Sequence, residues 1–291
     1  MKIAIAIATA GRRKVLSETI DWLRLQTRPA DTFYLAPASN DDLDEASLIG
    51  FPSQHFVVRG ARGLPAQRNC ILRSVHDEDV VVFFDDDFLP EPTFLQELED
   101  LFTHMPSLAI ATGHVVADGA HNAGISSQEA IAILKDLPDV VDNRIIDTYG
   151  GYGCNMAINL PLARSHNILF DEVLPLYAWW EDIDFSRRLA PFGDIKQSFR
   201  LRGVHLGSKS GRSPGKRLGY SQVANILYMA RKGSISPGVA MKQIFRNVSA
   251  NAVKSVNPEP WVDRKGRLSG NFLAFADALR GRIDPQRILK L

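Results

Sequence analysis

DVVVFFDDDFLP, residues 79–90, sends five apolar side chains, Val80 to Phe84, toward a core and then sets three carboxylates side by side. A short, continuous apolar run of this kind reads as a strand covered on both faces. Helical and strand-like patterns alternate around it. Lys2 to Ala8 reads as a strand, Val15 to Gln26 as an amphipathic helix with Leu16, Ile20 and Leu23 inward, and Thr32 to Ala36 as a second strand. Gly50 to Val58 is read as a third strand, Pro65 to Val75 and Pro92 to His104 as helices. The alternation argues for parallel strands covered by helices, and such sheets bind ligands beyond the carboxyl ends of their strands. That is where Asp85, Asp86 and Asp87 fall.

Adjacent carboxylates repel one another unless water, hydrogen bonds or a cation offsets the charge. Mg²⁺ and Mn²⁺ favour oxygen ligands and are commonly held by one or two carboxylates, with substrate phosphates completing the sphere. On an extended backbone Asp85 and Asp87 share a side and Asp86 takes the other, so the outer pair is expected to face a metal. The alternative is a solvated acidic turn ahead of the helix near Pro92. A second acidic cluster stands in WWEDIDFSRRL, residues 179–189. Glu181 and Asp182 near a helix amino end fit the helix dipole, and a carboxylate there also suits a general base that takes the proton of an attacking hydroxyl. His205, in strand-like RLRGVHL, precedes the loop LGSKSGRSPGKR; an imidazole can complete a Mn²⁺ sphere while Lys209 and Arg212 neutralise a departing diphosphate.

The chain has 291 residues, 45% of them hydrophobic, enough for one large domain or two small ones. MKIAIAIATAGRRK superficially resembles a secretory signal, but its apolar run is short and stops at arginines, so a buried first strand is expected. No segment approaches a membrane span, and Cys70 and Cys154 form no zinc or disulfide pattern, which makes the cytoplasm the expected compartment. Net charge is +1 but lopsided. Residues 1–200 carry 17 basic and 29 acidic side chains, a net of −12; residues 201–291 carry 17 and 4, a net of +13. Such a basic end either complements the acidic part within the fold or attracts an anionic partner.

After residue 108 mixed strands are expected, then a polar, mobile region over 117–145 and a glycine-rich turn, YGGYGCN. Residues 218–232, 239–255 and 270–281 read as helices. Without a glycine-rich fingerprint after the first strand, which runs into TAGRR, a dinucleotide-dependent dehydrogenase is disfavoured. A phosphatase with an aspartyl nucleophile is disfavoured because the first strand ends in Thr9.

Four motifs, taken in order, resemble the family 2 glycosyltransferases: IATAGRR with LQTRPAD, then GLPAQRN, FFDDDFLPEP and WWEDIDFSRRL, followed by His205. The likeness covers most of residues 1–230. It implies the α/β GT-A fold, a Rossmann-like mixed sheet flanked by helices, over residues 1–215, with a basic, mainly helical extension over 216–291. It also implies inverting transfer from a nucleotide-diphosphate sugar, with Mn²⁺ or Mg²⁺ on the diphosphate. By the resemblance Asp87 and His205 hold the metal, Asp182 is the base and Glu181 meets the acceptor; Trp179 and Trp180 are aromatic candidates to stack on a sugar ring, Trp180 on the acceptor side, with at least one of the two expected in the core. Thr9, Arg12, Arg68, Asp85, Asp86, Asn155, Lys209 and Arg212 line the donor. The sequence departs from the family after the second strand, where Ala36 and Pro37 stand in place of paired acids that contact the base; Asp41, Asp42 or backbone groups are the substitutes.

The acceptor implied is a saccharide or a lipid-linked glycan, with no nucleic acid as partner. ILYMARKG, MKQIFRNVSANAVK and NFLAFADALRGR mix apolar spacing with Lys and Arg as an interfacial helix does, so peripheral contact at the inner face of a membrane stands beside simple packing on the catalytic part. The rival activities are a metal-dependent nucleotidyltransferase, which leaves the second acidic motif without a role, and a sugar-nucleotide-binding protein without turnover.

Overall fold

The computed structural model describes residues 1–138, 142–211 and 213–291. Its first part is built of β1 (Ile3–Thr9), α1 (Arg13–Leu23), β2 (Thr32–Pro37), β3 (Gln54–Val57), α2 (Leu64–Ser74) and β4 (Val80–Asp85). These strands lie parallel in the order β3-β2-β1-β4. Both faces are covered, and alternate residues feed different cores. Ile3, Ile5, Ile7, Val80, Val82 and Phe84 pack with Leu16, Ile20 and Leu23 of α1. Ala4, Ala6, Val81 and Phe83 pack with Ile71 and Leu72 of α2, where the small alanines let the helix approach closely.

Beyond β4 come β5 (Phe88–Pro90), α3 (Phe94–His104), β6 (Leu108–Asp118), α4 (Ser127–Lys135), β7 (Ile145–Asp147), β8 (Asn155–Asn159), α5 (Leu160–Ser165), α6 (Glu181–Leu189) and β9 (Asp194–His205). They extend the sheet as β4-β8-β6-β9-β5, with β7 paired to β9. β8 runs antiparallel to β4 and β6, and β5 and β7 antiparallel to β9, so the sheet is mixed. The register of the long β6–β9 pair shifts at three points, between Leu108 and Ile110, Gly113 and His114, and Val115 and Ala117. Such irregularities bend and twist paired strands. Past the last of them His205 faces Asp118 on one side and Phe88 on the other, which brings three distant segments to the end of β4.

The region expected to be polar and mobile instead contains α4. Ser126 caps it with a reciprocal bond to Glu129, and Ala130 and Leu134 bury its inner face. Residues 139–141 of that region lie outside the described residues. In the basic part are α7 (Gly215–Lys232), α8 (Pro237–Lys254) and α9 (Arg264–Leu279). α9 starts six residues before its expected position because Asp263 caps it, its side chain accepting from Gly266 N, although the first turns lack an apolar stripe. These helices share a core of Tyr220, Val223, Ile226, Met229, Ala240, Ile244 and Ala274. Leu176, Trp179, Trp180 and Ile183 of the preceding part pack against it.

Candidate functional site

Asp85, Asp87 and His205 each turn one possible ligand atom toward a common point, these atoms lying within 4.8 Å of one another. His205 Nε2 is 3.3 Å from Asp87 Oδ1 and 3.9 Å from Asp85 Oδ2. The other ring nitrogen, Nδ1, sits 2.9 Å from Asp118 Oδ1, and Tyr152 donates its hydroxyl to Asp118 Oδ2 at 3.0 Å. A carboxylate on Nδ1 fixes the ring and leaves Nε2 facing the acidic pair, the usual setting of a metal-binding histidine. Asp87 Oδ1 is shut off from solvent with no hydrogen-bond partner among the described residues. A buried carboxylate oxygen left so is costly, and a cation would satisfy it. Two carboxylates and an imidazole are a fitting donor set for Mn²⁺ and, through the carboxylates, for Mg²⁺.

Asp86 turns the other way. Its oxygens accept from Thr9 Oγ1 at 2.6 Å and from Arg12 at 2.8 Å, while Thr19 of α1 donates to its backbone carbonyl. Arg12 also lies 3.2 Å from Asp87 Oδ2 and donates to the carbonyls of Ser210 and Ser208. Ser208 N in turn donates to Asp87 Oδ2 at 2.7 Å, so the loop after β9 is drawn over the carboxylates. Thr9 and Arg12, expected beside the donor, are thus engaged in holding the acidic turn and this loop. The loop crosses residues 119–120 so closely that a Cβ at Gly119 would stand 2.0 Å from the Leu206 carbonyl. Lys209 donates to the Gly119 carbonyl at 2.8 Å, and Arg212 lies outside the described residues.

The second acidic cluster opens α6. Asp182 Oδ2 accepts from Gly153 N at 3.0 Å and Oδ1 from Ile183 N at 2.8 Å, leaving the carboxylate half-buried at the helix amino end. Arg68, 2% exposed, joins the two clusters: it donates to Glu181, to Asp85 Oδ1 at 3.3 Å and to the Gly153 carbonyl at 2.8 Å. Its guanidinium also lies over Phe83 and Phe170. Arg68, expected near the nucleotide or its phosphates, is buried between Asp85 and the Glu181–Asp182 pair. Leading into α6, Leu176, Ala178 and Trp180 all adopt left-handed backbone, with φ of 57°, 51° and 71°. Each is disfavoured for a residue with a Cβ, and three in five residues mark a segment whose surroundings dictate its path.

On the opposite side of α6, Asp184 is fully buried. It receives Lys232 Nζ at 2.7 Å, Ser234 Oγ at 2.6 Å and Arg188 Nε at 3.0 Å, so the end of α7 is clamped to the acidic helix.

Charge and burial shape proton affinities here. Burial raises Asp86, with Arg12 opposing it. Burial alone would also raise Asp87, but the imidazole of His205 3.3 Å away outweighs it, with Arg12 and Ser208 N adding to the effect, and holds Asp87 down. Burial would lower His205; Asp118 and Asp87 reverse that and push it up to about 10. The negative field that holds a proton on this imidazole is the same field that would favour a divalent cation, so cation and proton compete for it. Burial raises Asp182 despite Gly153 N and Arg68, and raises Glu181 despite Arg68.

Other expected site residues have different settings. Asn155, the first residue of β8, is fully buried against β6, its Oδ1 accepting from Thr112 Oγ1 at 2.6 Å and Gly113 N at 3.1 Å. Trp180 is half-buried against the core of α7–α9. Two residues the sequence reading passed over, Asp118 and Tyr152, complete the histidine's surroundings; the only sequence signal for Asp118 is a carboxylate before a glycine at a strand end.

The fold is that of glycosyltransferases with a mixed, GT-A-like sheet. Among solved structures the chain is similar to S. aureus TarS residues 1–349, with 13% identity and a TM-score of 0.61 over 97% of this chain and 82% of that one. A complex of the same TarS segment with UDP-GlcNAc gives a TM-score of 0.57 at 13% identity, over 97% and 83%. The mannosyltransferase PcManGT from Pyrobaculum calidifontis, in complex with GDP-Man and Mn²⁺, is 12% identical with a TM-score of 0.57 over 99% and 85%. No protein-family model and no curated protein sequence matches the chain. Among the described residues no helix is long and apolar enough to cross a membrane.

Proposed function

We propose that this protein is an inverting glycosyltransferase that moves a sugar from a nucleotide-diphosphate donor to a hydroxyl of a saccharide or lipid-linked glycan. The observation that carries the reading is the pairing of two carboxylate clusters at one end of the sheet, Asp85–Asp87–His205 and Glu181–Asp182, with Arg68 between them. The similar structures with UDP-GlcNAc, GDP-Man and Mn²⁺ support the donor class and the ion.

In this reading Asp85, Asp87 and His205 hold Mn²⁺ or Mg²⁺. The bound ion supplies positive charge to the diphosphate oxygens that receive the electron pair of the breaking anomeric bond. Asp182 accepts the acceptor hydroxyl's proton as its oxygen attacks the anomeric carbon from the face opposite the diphosphate, through a transition state with oxocarbenium character. Gly153 N and Ile183 N fix the carboxylate, and its burial strengthens it as a base. Asp86, Thr9 and Arg12 hold the acidic turn and the Ser208–Ser210 loop in place around the diphosphate. Glu181 orients the acceptor. Asp42 is engaged by Gly11 N and Ser39, which leaves Asp41 and backbone groups to read the nucleobase.

The test is titration with a panel of sugar nucleotides and Mn²⁺, with products scored by mass spectrometry. At least one donor is expected to bind only with the metal, and Asp87→Asn to weaken that binding. Asp182→Asn is expected to keep donor binding and to slow transfer about 10²–10⁴-fold. Because Asp182 acts ionised, the rate falls as pH drops, and burial places that limb above the ordinary aspartate range. Full transfer by Asp182→Asn removes it as the base, and donor binding indifferent to Asp87→Asn removes the metal assignment.

A further inference from the structure

We propose that the outer face of α8 docks this protein on an anionic lipid surface. α8 is fixed through its inner face. Ala240, Gln243, Ile244 and Asn251 are buried, and Asn251 donates to Gln222 of α7 at 2.8 Å and to Asn271 of α9 at 2.9 Å. The face turned outward is therefore held rigidly. It carries Met241 at 61% exposure, Phe245 at 72% and Val253 at 73%, with Val256 at 88% one turn further on. At about 100° per residue Met241 and Phe245 fall within about 40° of each other on α8, Lys242, Val253 and Arg246 follow on the same outward half of the helix, and Val256 lies just beyond its end. Isolated exposed apolar side chains are ordinary; an aligned group beside cations on a fixed helix is the pattern of a helix that lies in a lipid interface.

Electrostatics selects the occupant. α8 has no acidic residue, and Lys242 and Arg246 make no ion pair among the described residues. Over residues 201–291 the four acids are turned to internal work. Glu259 pairs with Lys254 and Arg264, Asp277 with Arg287, and Asp263 and Asp284 cap helical turns. None of these four acids pairs with Lys242 or Arg246, so the two exposed cations of α8 are without a local counter-charge among the described residues. A second copy meeting α8 face to face would bring Lys242 and Arg246 against their like, whereas anionic headgroups accept both cations while acyl chains take Phe245 and Met241. The inference is independent of sugar transfer.

The experiment is co-sedimentation of the full chain with vesicles of phosphatidylglycerol mixed with phosphatidylcholine, and with vesicles of phosphatidylcholine alone. Binding is expected on the anionic vesicles at low salt, with loss at high salt or on the neutral ones. The pair Met241→Ser with Phe245→Ser, and separately Lys242→Glu with Arg246→Glu, should each lower partitioning about tenfold or more. Lys14→Glu, an exposed charge on α1, should leave it unchanged. All these side chains are exposed, and circular dichroism verifies the fold; if the serine pair misfolds, the glutamate pair carries the test. No partitioning onto anionic vesicles, or partitioning undiminished by both pairs, overturns the proposal. So does a concentration-dependent dimer that Phe245→Ser abolishes in the absence of vesicle binding, which would give this face to a second copy.

Discussion

Asp118 touches the acidic pair only through His205, yet it decides which imidazole nitrogen that pair sees. Its contact at 2.9 Å takes Nδ1 and leaves Nε2 inward. Asp118→Asn keeps the size of the side chain but removes its charge, so Mn²⁺ binding is expected to weaken about 10–100-fold in a calorimetric titration while the melting temperature changes little. At this scale the division among the aspartates was readable from the sequence but its cause was not: Asp86 does turn away to Thr9 and Arg12, yet it and Asp87 lie in a turn between β4 and β5 rather than on extended backbone. Asp118 was not readable. It stands 87 positions from His205, and only the strand register brings them together. The settings of Arg68 and Asn155 were hidden for a related reason, since burial in the folded sheet follows from neighbours that no local pattern names.

Among the elements, the crossing of the β6 and β9 ends is the tightest point near the site. Gly119→Ala would put a methyl carbon 2.0 Å from a backbone carbonyl, Leu206 O, which cannot swing aside as a flexible side chain would. The variant is expected to lose about 1–3 kcal/mol in denaturant unfolding and to bind Mn²⁺ more weakly, because the displaced backbone carries His205 and Ser208. Strong periodicity made most helices and the early strands legible within a few residues. α4 went unread because its polar flanks suggested a loop, although SSQE, residues 126–129, is a capping-box signature. The left-handed steps at Leu176, Ala178 and Trp180 leave no trace in sequence, since no glycine or asparagine marks them.

For the whole molecule, the parallel strands and the opposed charges of the two parts were plain in the sequence, but how the parts meet was not. Charge complementation and exposed, unpaired cations coexist: Lys232 serves Asp171 and Asp184, while Lys242 and Arg246 are exposed and make no ion pair among the described residues. The clamp on Asp184 has a thermodynamic consequence. Asp184 lies two residues from Asp182 and is fully buried, so detaching α7–α9 would remove its Lys232 and Ser234 partners, leave it only Arg188, uncover Trp179 and Trp180 and remove surroundings of the left-handed steps. Neither part can then melt first at low cost. Heating is expected to give one calorimetric transition, coincident by tryptophan fluorescence and far-UV circular dichroism, and Asp184→Asn to lower its midpoint or split it in two. By this arrangement the helix carrying the candidate base is also the seam that makes the protein a single cooperative unit.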